Sequence, residues 1–487
     1  MITATFIVGV DIGTSGCKAV VINTKGQVKG KGFAPHKTSL KHGGAEQDPD
    51  AWVQAFERAV AEALTKAKIK PKHIAVIGID GMMNTPVFVD NKGKPLRPAL
   101  LWMDQRSVTQ AAKLRLVMNN KHLNGPVTAT SLLAKMAWLR ENEPEVWRKF
   151  SYVMLPKDYV RYKLTGIICT DPSDASATQL FDVARNAWSQ EISKILDLST
   201  SKLPVIVPSH EIIGKINRGV LKSVPVIAGC ADAAADNLAA GVIKGGECLV
   251  RLGTCGALFL VQEALPITSE QYYVLSHCVT DLWLTHNLTP AGLALDWFAK
   301  LFNLRSYNDI DKLALRAPVG SRGLFFYPYL LGEHTPRVGR PQPGGFVGLS
   351  LLHGRSDLAR AVLEGIAFSV RECFETLVHT TSQRTGKLIV AGGGARSKIW
   401  VRIIADVIGK RVYLPKNFDA SFGAALLGGI GAGVFKDVVE AVQKCVTLQS
   451  VIPPRRRYSQ LYSSVFKDYI FVAELLGRKE MDTRQIL

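Results

Sequence analysis

The sequence lacks any long uninterrupted apolar run. No stretch reaches the roughly 18 apolar residues that a membrane-spanning helix needs. The short apolar stretch near the N-terminus is broken by Asp11 and has no basic leader before it. These absences disfavour a membrane protein or an exported protein, and we expect a cytoplasmic one.

Closely spaced cysteine pairs are also missing. The eight cysteines include no CxxC pair, and several lie in apolar runs, where a buried thiol is the usual outcome. The sequence therefore indicates neither a zinc site nor a disulfide framework.

The common nucleotide-binding motifs are absent as well. No GxxxxGK[S/T] sequence is present, and the glycine-rich segment at 392–397 does not satisfy GxGxxG. A Walker-type fold and a dinucleotide-binding fold are both disfavoured.

Acidic residues are outnumbered. The 41 Asp and Glu residues stand against 60 Lys and Arg residues, a formal net charge of +19, which raises nucleic acid or an anionic membrane as partners. No nucleic-acid-binding module is recognisable, however. The one dense cluster, Arg455, Arg456 and Arg457, is interpreted as part of a solvated C-terminal tail. We therefore expect neither a nucleic-acid nor a membrane partner.

A repeated tetrapeptide is the most informative feature that is present. Gly13-Thr14-Ser15-Gly16 reappears half a chain later as Gly253-Thr254-Cys255-Gly256, each time between two runs of strand-forming residues. Such a turn presents backbone N–H groups and hydroxyl donors, which a polyphosphate requires. Gly-rich hairpin turns occur in many strand pairs, but two near-identical copies favour a duplicated phosphate-binding hairpin.

The length of 487 residues predicts two or three domains. Glycines interrupt the pattern near 241–247, so we expect one domain at 1–243 and a second at 244–487. Hydrophobic periodicity predicts an α/β protein. The expected strands lie at 74–79, 224–228 and 388–390, and the expected helices at 50–67, 131–140, 233–240, 291–302 and 357–380.

Asp11 comes where the first predicted strand meets the first turn. Its carboxylate is expected to point toward the phosphates, and an acid beside a polyphosphate makes sense chiefly through Mg²⁺. The alternative is an Asp that hydrogen-bonds its own turn. The corresponding residue of the second copy is Arg251, so the two halves have diverged.

Asp232 is the strongest candidate for a general base. It follows a predicted strand and begins an Ala-rich helix, a corner that faces a cleft in α/β proteins. Phosphoryl transfer needs a carboxylate that accepts the proton of the attacking hydroxyl. Asp236, one helical turn later, is the competing candidate, or a simple charge at the helix N-terminus.

A third group combines an aromatic residue, an acid and a guanidinium at Trp102, Asp104 and Arg106. Such a set can hold a polyol, because a carboxylate accepts from hydroxyl groups while an indole face covers the carbon skeleton. A surface ion pair beside a core Trp explains the same residues equally well.

These segments, taken in order, resemble the FGGY carbohydrate kinases, which belong to the actin-like ATPase superfamily. The resemblance covers nearly the whole chain. It runs through Asp11-Ile12-Gly13-Thr14-Ser15, Glu46-Gln47-Asp48-Pro49, Trp102-Met103-Asp104-Gln105-Arg106, Pro156-Lys157-Asp158-Tyr159, Asp171 with Ser173-Asp174, Gly229 to Asp232, Leu252-Gly253-Thr254, Gly332-Glu333-His334-Thr335-Pro336, Glu364-Gly365-Ile366-Ala367 and Gly392-Gly393-Gly394-Ala395-Arg396-Ser397.

The resemblance implies two actin-like (ribonuclease H-like) ATPase domains around a central cleft, the first binding mainly sugar and the second mainly ATP. Asp232 is then the base, and Asp11 positions Mg²⁺-ATP, with both acids acting on the metal indirectly. The residues expected at ATP are Gly13, Thr14, Ser15, Lys18, Gly253, Thr254, Gly292, Gly393, Gly394 and Ser397. Those expected at the sugar are Met83, Asn84, Trp102, Asp104, Arg106 and Asp232.

Within the family the chain is most similar to xylulokinases, and it departs from them at two positions. Asn84 replaces the His of their Gly-Gln-Met-His loop, and Ala233 replaces the usual Asn or Gln after the catalytic Asp. We therefore expect an ATP-dependent kinase of a small ketose or polyol, with a ketopentose such as xylulose first. Ribulose, erythritol and glycerol are alternative substrates, and a non-catalytic actin-like ATP switch is the alternative from another class. A homodimer is also weighed.

Overall fold

The computed structural model describes residues 6–41, 43–118, 124–330, 335–338, 343–379 and 384–477. The motif residues Gly332, Glu333 and His334 lie outside the described residues, and so does the predicted helix end at Thr380. Within the described part, no helix combines the length and apolar composition needed to cross a membrane.

Two seven-stranded sheets organise the chain. The first contains, in spatial order, Ile212–Lys215, Pro225–Ile227, Ile74–Gly81, Phe6–Ile12, Gly16–Asn23 and Val28–Pro35, with Cys230–Ala231 also paired to Ile74–Gly81. The second contains Tyr273–Ser276, Trp283–Pro290, Cys255–Gln262, Cys248–Leu252, Leu388–Ala391, Val412–Pro415 and Leu448–Ile452. Short strands at Ser39–Lys41, Gly44–Gln47, Val87–Val89, Ala99–Leu100, Tyr152–Met154, Cys169–Thr170, Phe181–Asp182, Ala187–Trp188, Val205–Ile206, Phe325–Tyr327 and Gly345–Val347 form small sheets.

The two large sheets repeat one topology. In each, three strands form an antiparallel meander, two further strands run parallel to the first strand of that meander, and an antiparallel strand follows. This repetition confirms the duplicated hairpin that the two GT turns predict. The copies differ by one residue in register: Ile12 pairs with Cys17 in the first hairpin, whereas Leu252 pairs with Gly256 in the second.

Helices cover the sheets, and most predicted helices form within two residues of their expected ends. The helices are Pro49–Ala67, Val108–Met118, Leu132–Asn142, Pro144–Lys149, Pro156–Thr165, Pro172–Ala177, Gln190–Leu196, Asp232–Ala240, Gly292–Leu301, Tyr307–Ala314, Arg355–His379, Lys398–Ile408, Ala420–Gly431, Val438–Cys445 and Arg456–Leu476.

Helix Ala420–Gly431 comes from the second half of the chain but packs on the first sheet. A Cβ atom placed on Gly9 would lie 1.8 Å from the backbone oxygen of Ser421, and one on Gly78 would lie 1.8 Å from that of Ala424. Only glycine permits this approach of backbone to backbone. The two halves therefore share a core at this face.

Arg455, Arg456 and Arg457 are exposed, as predicted, but the segment that they begin is not a solvated tail. The segment forms a 21-residue helix, Arg456–Leu476, which buries Tyr462, Phe466 and Tyr469. Arg455 binds the buried carboxylate of Asp406 through Nη2 at 2.6 Å and Nε at 3.0 Å. The basic cluster thus lies at the start of a packed helix, and its first arginine neutralises a buried acid.

Candidate active site

The first phosphate turn, residues 13–15, is held from three sides. Gln47 Nε2 donates to the backbone oxygen of Thr14 at 2.7 Å, and a ring nitrogen of His36 lies 2.9 Å from the backbone oxygen of Gly13. Trp102 Nε1 donates to Thr14 Oγ1 at 2.9 Å. These bonds use carbonyl and hydroxyl oxygens, so the turn is fixed while Ser15 stays exposed.

The second phosphate turn, residues 253–254, is held by two neighbouring segments. The backbone N–H of Gly292, at the start of a helix, donates to the Gly253 oxygen at 3.0 Å. The glycine loop at 392–394 packs behind the turn: Gly392 has φ of 93°, and a Cβ atom there would lie 2.7 Å from the Leu252 oxygen. The predicted glycine loop therefore contacts Leu252, the residue that leads into the predicted second turn.

The remaining residues of the predicted adenosine loop divide into open and engaged positions. A Cβ atom on Gly393 would meet nothing within 4 Å, whereas one on Gly394 would clash with Trp400. Ser397 donates to Asp311 Oδ1 at 2.8 Å and caps the helix Lys398–Ile408 by accepting from Trp400 N. Gly393 faces open space where a nucleotide can approach, while Gly394 and Ser397 shape the loop.

Acidic residues end adjacent strands of the first sheet. Asp11 and Asp80 are register partners on parallel strands, and Asp80 in turn pairs with Cys230, two residues before Asp232. Burial raises the pKa of Asp11 to about 6, and Lys18, at 3.3 Å, offsets part of the rise. Burial, together with the carboxylates of Asp11 and Asp232, raises the pKa of Asp80 well above its usual range. Carboxyl groups are therefore concentrated at these strand ends, where burial favours their protonated form.

Asp232 is the first residue of the helix Asp232–Ala240. The corner before it is fixed by the backbone N–H of Ala231, which donates to Ser173 Oγ at 2.9 Å. Burial raises the pKa of the Asp232 carboxyl, and Arg251, whose Nη1 lies 3.7 Å from Asp232 Oδ2, counteracts that rise. About a quarter of the Asp232 side chain remains exposed, so this carboxylate can meet a substrate.

The acids fit a magnesium ion that is bound mainly through ATP. Mg²⁺ in kinase sites keeps several waters and takes one or two carboxylates together with phosphate oxygens. The described residues contain no group of three side chains able to hold a metal by themselves. Asp11 follows the first strand directly into the phosphate turn, and both oxygens of Asp80 are buried without a hydrogen-bond partner in the described part of the chain. Bound Mg²⁺ would favour the ionised form of these carboxyl groups.

The loop with Met83 and Asn84 carries an unusual backbone. Asn84 has φ of 54°, a left-handed conformation that Asn tolerates, and its Oδ1 is buried with no partner among the described residues. Lys135, 1% exposed, donates from Nζ to the backbone oxygens of Asn84 and Leu101, each at 2.7 Å. The buried amino group of Lys135 thus ties this loop to the segment that leads to Trp102.

Asp104 and Arg106 form the ion pair that the alternative interpretation predicts. Asp104, 1% exposed, accepts from Arg106 Nη2 at 2.7 Å and Nε at 3.1 Å, and from the backbone N–H of Ala45 at 2.8 Å. Arg106 also binds Glu46 at 2.7 Å and lies over the ring of Trp138. Arg106 and the Ala45 N–H thus occupy the carboxylate of Asp104. Trp102, in contrast, hydrogen-bonds Thr14 of the first phosphate turn.

Three site residues had no assigned role in the sequence analysis. Asp80 ends an apolar strand just as Asp11 does, and that parallel was the available signal. Lys135 lies in a helical pattern with nothing to mark its burial, and Arg251 was noted only as the counterpart of Asp11. Their roles depend on contacts between segments far apart in sequence.

Comparison with known proteins places the chain in a family. The N-terminal domain of the FGGY family of carbohydrate kinases matches residues 6–239, and its C-terminal domain matches residues 248–432. The chain is 31% identical to a xylulose kinase of Bacillus subtilis over 478 residues, 95% of this chain and 96% of that protein. It is 32% identical to a xylulose kinase of Escherichia coli, over 93% of this chain and 95% of that one.

A solved structure agrees with these sequence relatives. The xylulose kinase from Rhodospirillum rubrum superposes with a TM-score of 0.87 at 28% identity and covers 97% of this chain and 99% of its own. The fold is accordingly the two-domain, actin-like α/β fold, and the chemistry is Mg²⁺- and ATP-dependent sugar phosphorylation. This chain belongs to the FGGY family of carbohydrate kinases.

Proposed function

We propose that the protein phosphorylates a ketopentose, D-xylulose before others, with Asp232 as the general base. The observation that carries the assignment of the base is the position of Asp232: it begins a helix beside the acids that end the first sheet, and it lies 3.7 Å from Arg251, in the strand that leads to the second GT turn. The choice of sugar is supported by the xylulose kinases that the chain matches over nearly its whole length.

In this mechanism a sugar hydroxyl attacks the γ-phosphorus in line while Asp232 accepts its proton. The new oxygen–phosphorus bond forms as the bond to the β-phosphate oxygen breaks, and ADP leaves. Catalysis of this kind is mainly positioning and charge stabilisation. Mg²⁺ supplies charge neutralisation on the phosphates, and Asp11 is the residue best placed to position it.

The nucleotide is proposed to lie between the two turns. Gly13, Thr14 and Ser15 are assigned to the phosphates together with Gly253 and Thr254, and Lys18 supplies positive charge beside Asp11. Gly292, Gly393, Gly394 and Ser397 are assigned to the adenosine end. Residues 1–243 and 244–487 remain the proposed domain division.

The sugar is proposed to contact Met83, Asn84, Trp102 and Asp232. Asn84 Oδ1 has no partner among the described residues and is assigned to accept from a sugar hydroxyl, and the Trp102 indole lies beside the first turn. Asp104 and Arg106 are assigned a supporting role, because their mutual ion pair already occupies the carboxylate. A homodimer and a cytoplasmic location stay predictions of the sequence.

The test is ADP release with Mg²⁺-ATP and a panel of ketopentoses, hexuloses, tetritols and glycerol. We expect D-xylulose to give the highest kcat/KM. A different preferred sugar would overturn the substrate assignment and leave the kinase mechanism in place. Turnover that no sugar stimulates would instead favour an ATP-driven switch.

A further inference from the structure

Arg251 occupies a position between the two halves of the site. It lies in the strand Cys248–Leu252, two residues before Gly253 of the second phosphate turn. Its side chain extends to the helix that carries the base: Nη1 lies 2.7 Å from Asp236 Oδ2 and 3.7 Å from Asp232 Oδ2. The second phosphate turn and the catalytic acid are therefore linked by one guanidinium group.

The guanidinium group has donors to spare. Arginine presents five N–H groups in a rigid fork, and the side-chain hydrogen bond of Arg251 to described residues runs through Nη1 alone. About a quarter of the side chain is exposed, whereas its partner Asp236 is nearly fully buried. The aromatic ring of Phe259, 5.8 Å from the guanidinium carbon, supports the arginine from another side. The remaining N–H groups can thus bind a ligand without breaking the ion pair.

The distribution of charge also favours a cation beside Asp232. Lys18 lies at Asp11 and Asp419, with its Nζ 3.3 and 3.4 Å from their carboxylates. Among the described residues, Arg251 forms the ion pairs with Asp232 and Asp236. A γ-phosphoryl group close enough to react beside Asp232 brings two anions together, and a positive group between them reduces their repulsion.

We propose that Arg251 is a catalytic residue whose free N–H groups bind the oxygens of the γ-phosphoryl group while Nη1 holds the acidic helix. This inference rests on the proposed kinase function and names a residue of the same site. Arg251 forms and breaks no covalent bond. It neutralises charge on the transferring group and keeps the base beside it, as a bidentate phosphate-binding arginine does.

A nucleotide-binding experiment tests the contact without any sugar. The affinities of the wild type, Arg251→Met and Arg251→Lys for ADP and for AMP-PNP are measured by calorimetry in the presence of Mg²⁺. We expect Arg251→Met to bind AMP-PNP about tenfold more weakly while its ADP affinity stays near that of the wild type, a loss typical of one charge-assisted contact. Arg251→Lys retains part of the AMP-PNP affinity. Arg218→Met, which removes a surface pair with Glu57, is the matched control and should change neither affinity.

Turnover provides the second readout. In Arg251→Met, kcat should fall by about 10²- to 10³-fold, the usual cost of losing one donor to a developing charge. Unchanged affinity for both nucleotides, or an equal loss for both, would overturn the proposal and reduce Arg251 to a support for Asp232 and Asp236. Retained ADP affinity shows that a variant is folded, and Arg251→Lys supplies the comparison if Arg251→Met is not. Sugar-stimulated turnover of the wild type tests the kinase function separately.

Discussion

The indole Nε1 of Trp102 donates to Thr14 Oγ1 at 2.9 Å, and this bond joins two loops that lie 88 residues apart in sequence. Thr14 belongs to the first phosphate turn, and Trp102 to the segment proposed to contact the sugar. Thr14 Oγ1 also donates to Met82 Sδ at 3.8 Å, next to Met83 and Asn84. We therefore predict that sugar binding and nucleotide binding are coupled through this one hydroxyl group.

Replacing Trp102 with Phe tests that coupling. The variant keeps an aromatic face but loses the N–H donor, which costs about 1 kcal/mol, or roughly a fivefold change in affinity. Because the bond links both loops, we expect the KM values for D-xylulose and for ATP to rise together. Steady-state kinetics measure both. Trp147→Phe, in the helix Pro144–Lys149, is the control, and constants equal to those of the wild type in Trp102→Phe would refute the coupling.

Substitution of Arg106 distinguishes two possible roles of its ion pair with Asp104: support of the loop and contact with the sugar. If the pair supports the loop, Arg106→Met leaves a buried carboxylate without its charged partner, at a cost of about 3 kcal/mol in unfolding free energy. Urea unfolding measures this cost, and Arg106→Lys should lose less of it. A rise in KM for the sugar with unchanged stability would show instead that Arg106 contacts the substrate.

Lys135 makes stability depend on pH in the alkaline range. Burial lowers its pKa from 10.5 to about 7, so above that pH the folded protein holds it neutral while the unfolded chain still binds the proton. The unfolded state binds more protons in this window, so stability rises with pH. Relative to Lys135→Met, the wild type should gain roughly 1 kcal/mol per pH unit between about pH 8 and about pH 10. Parallel pH profiles of the two proteins in urea unfolding would contradict the assignment.

Local patterns predicted the parts of this fold that depend on neighbours in the chain. The two hairpins follow from strand-forming runs around short glycine turns, and the helix Pro49–Ala67 follows from Trp52, Phe56 and Leu64 at helical spacing. Each of these signals relates residues that are fewer than about eight positions apart, so it can be read from a single sequence. The family resemblance then assigned roles to these local elements.

Contacts between segments that are distant in sequence could not be predicted from local patterns. The bonds from Gln47 to Thr14 and from Arg251 to Asp236 arise only once strands have paired. The terminal helix shows a different failure. Its buried Tyr462, Phe466 and Tyr469 recur at spacings of four and three residues, a signal that the neighbouring basic cluster obscured.

The central claim is that Asp232 takes the proton from the sugar during ATP-dependent phosphorylation. Asp232→Asn keeps the shape of the side chain and removes its basicity. The most direct measurement is ADP release with Mg²⁺-ATP and D-xylulose for this variant and the wild type, alongside the affinity of each for ADP. We expect a fall in kcat of about 10²- to 10⁴-fold with ADP affinity nearly intact. Turnover close to that of the wild type would contradict the assignment of the base.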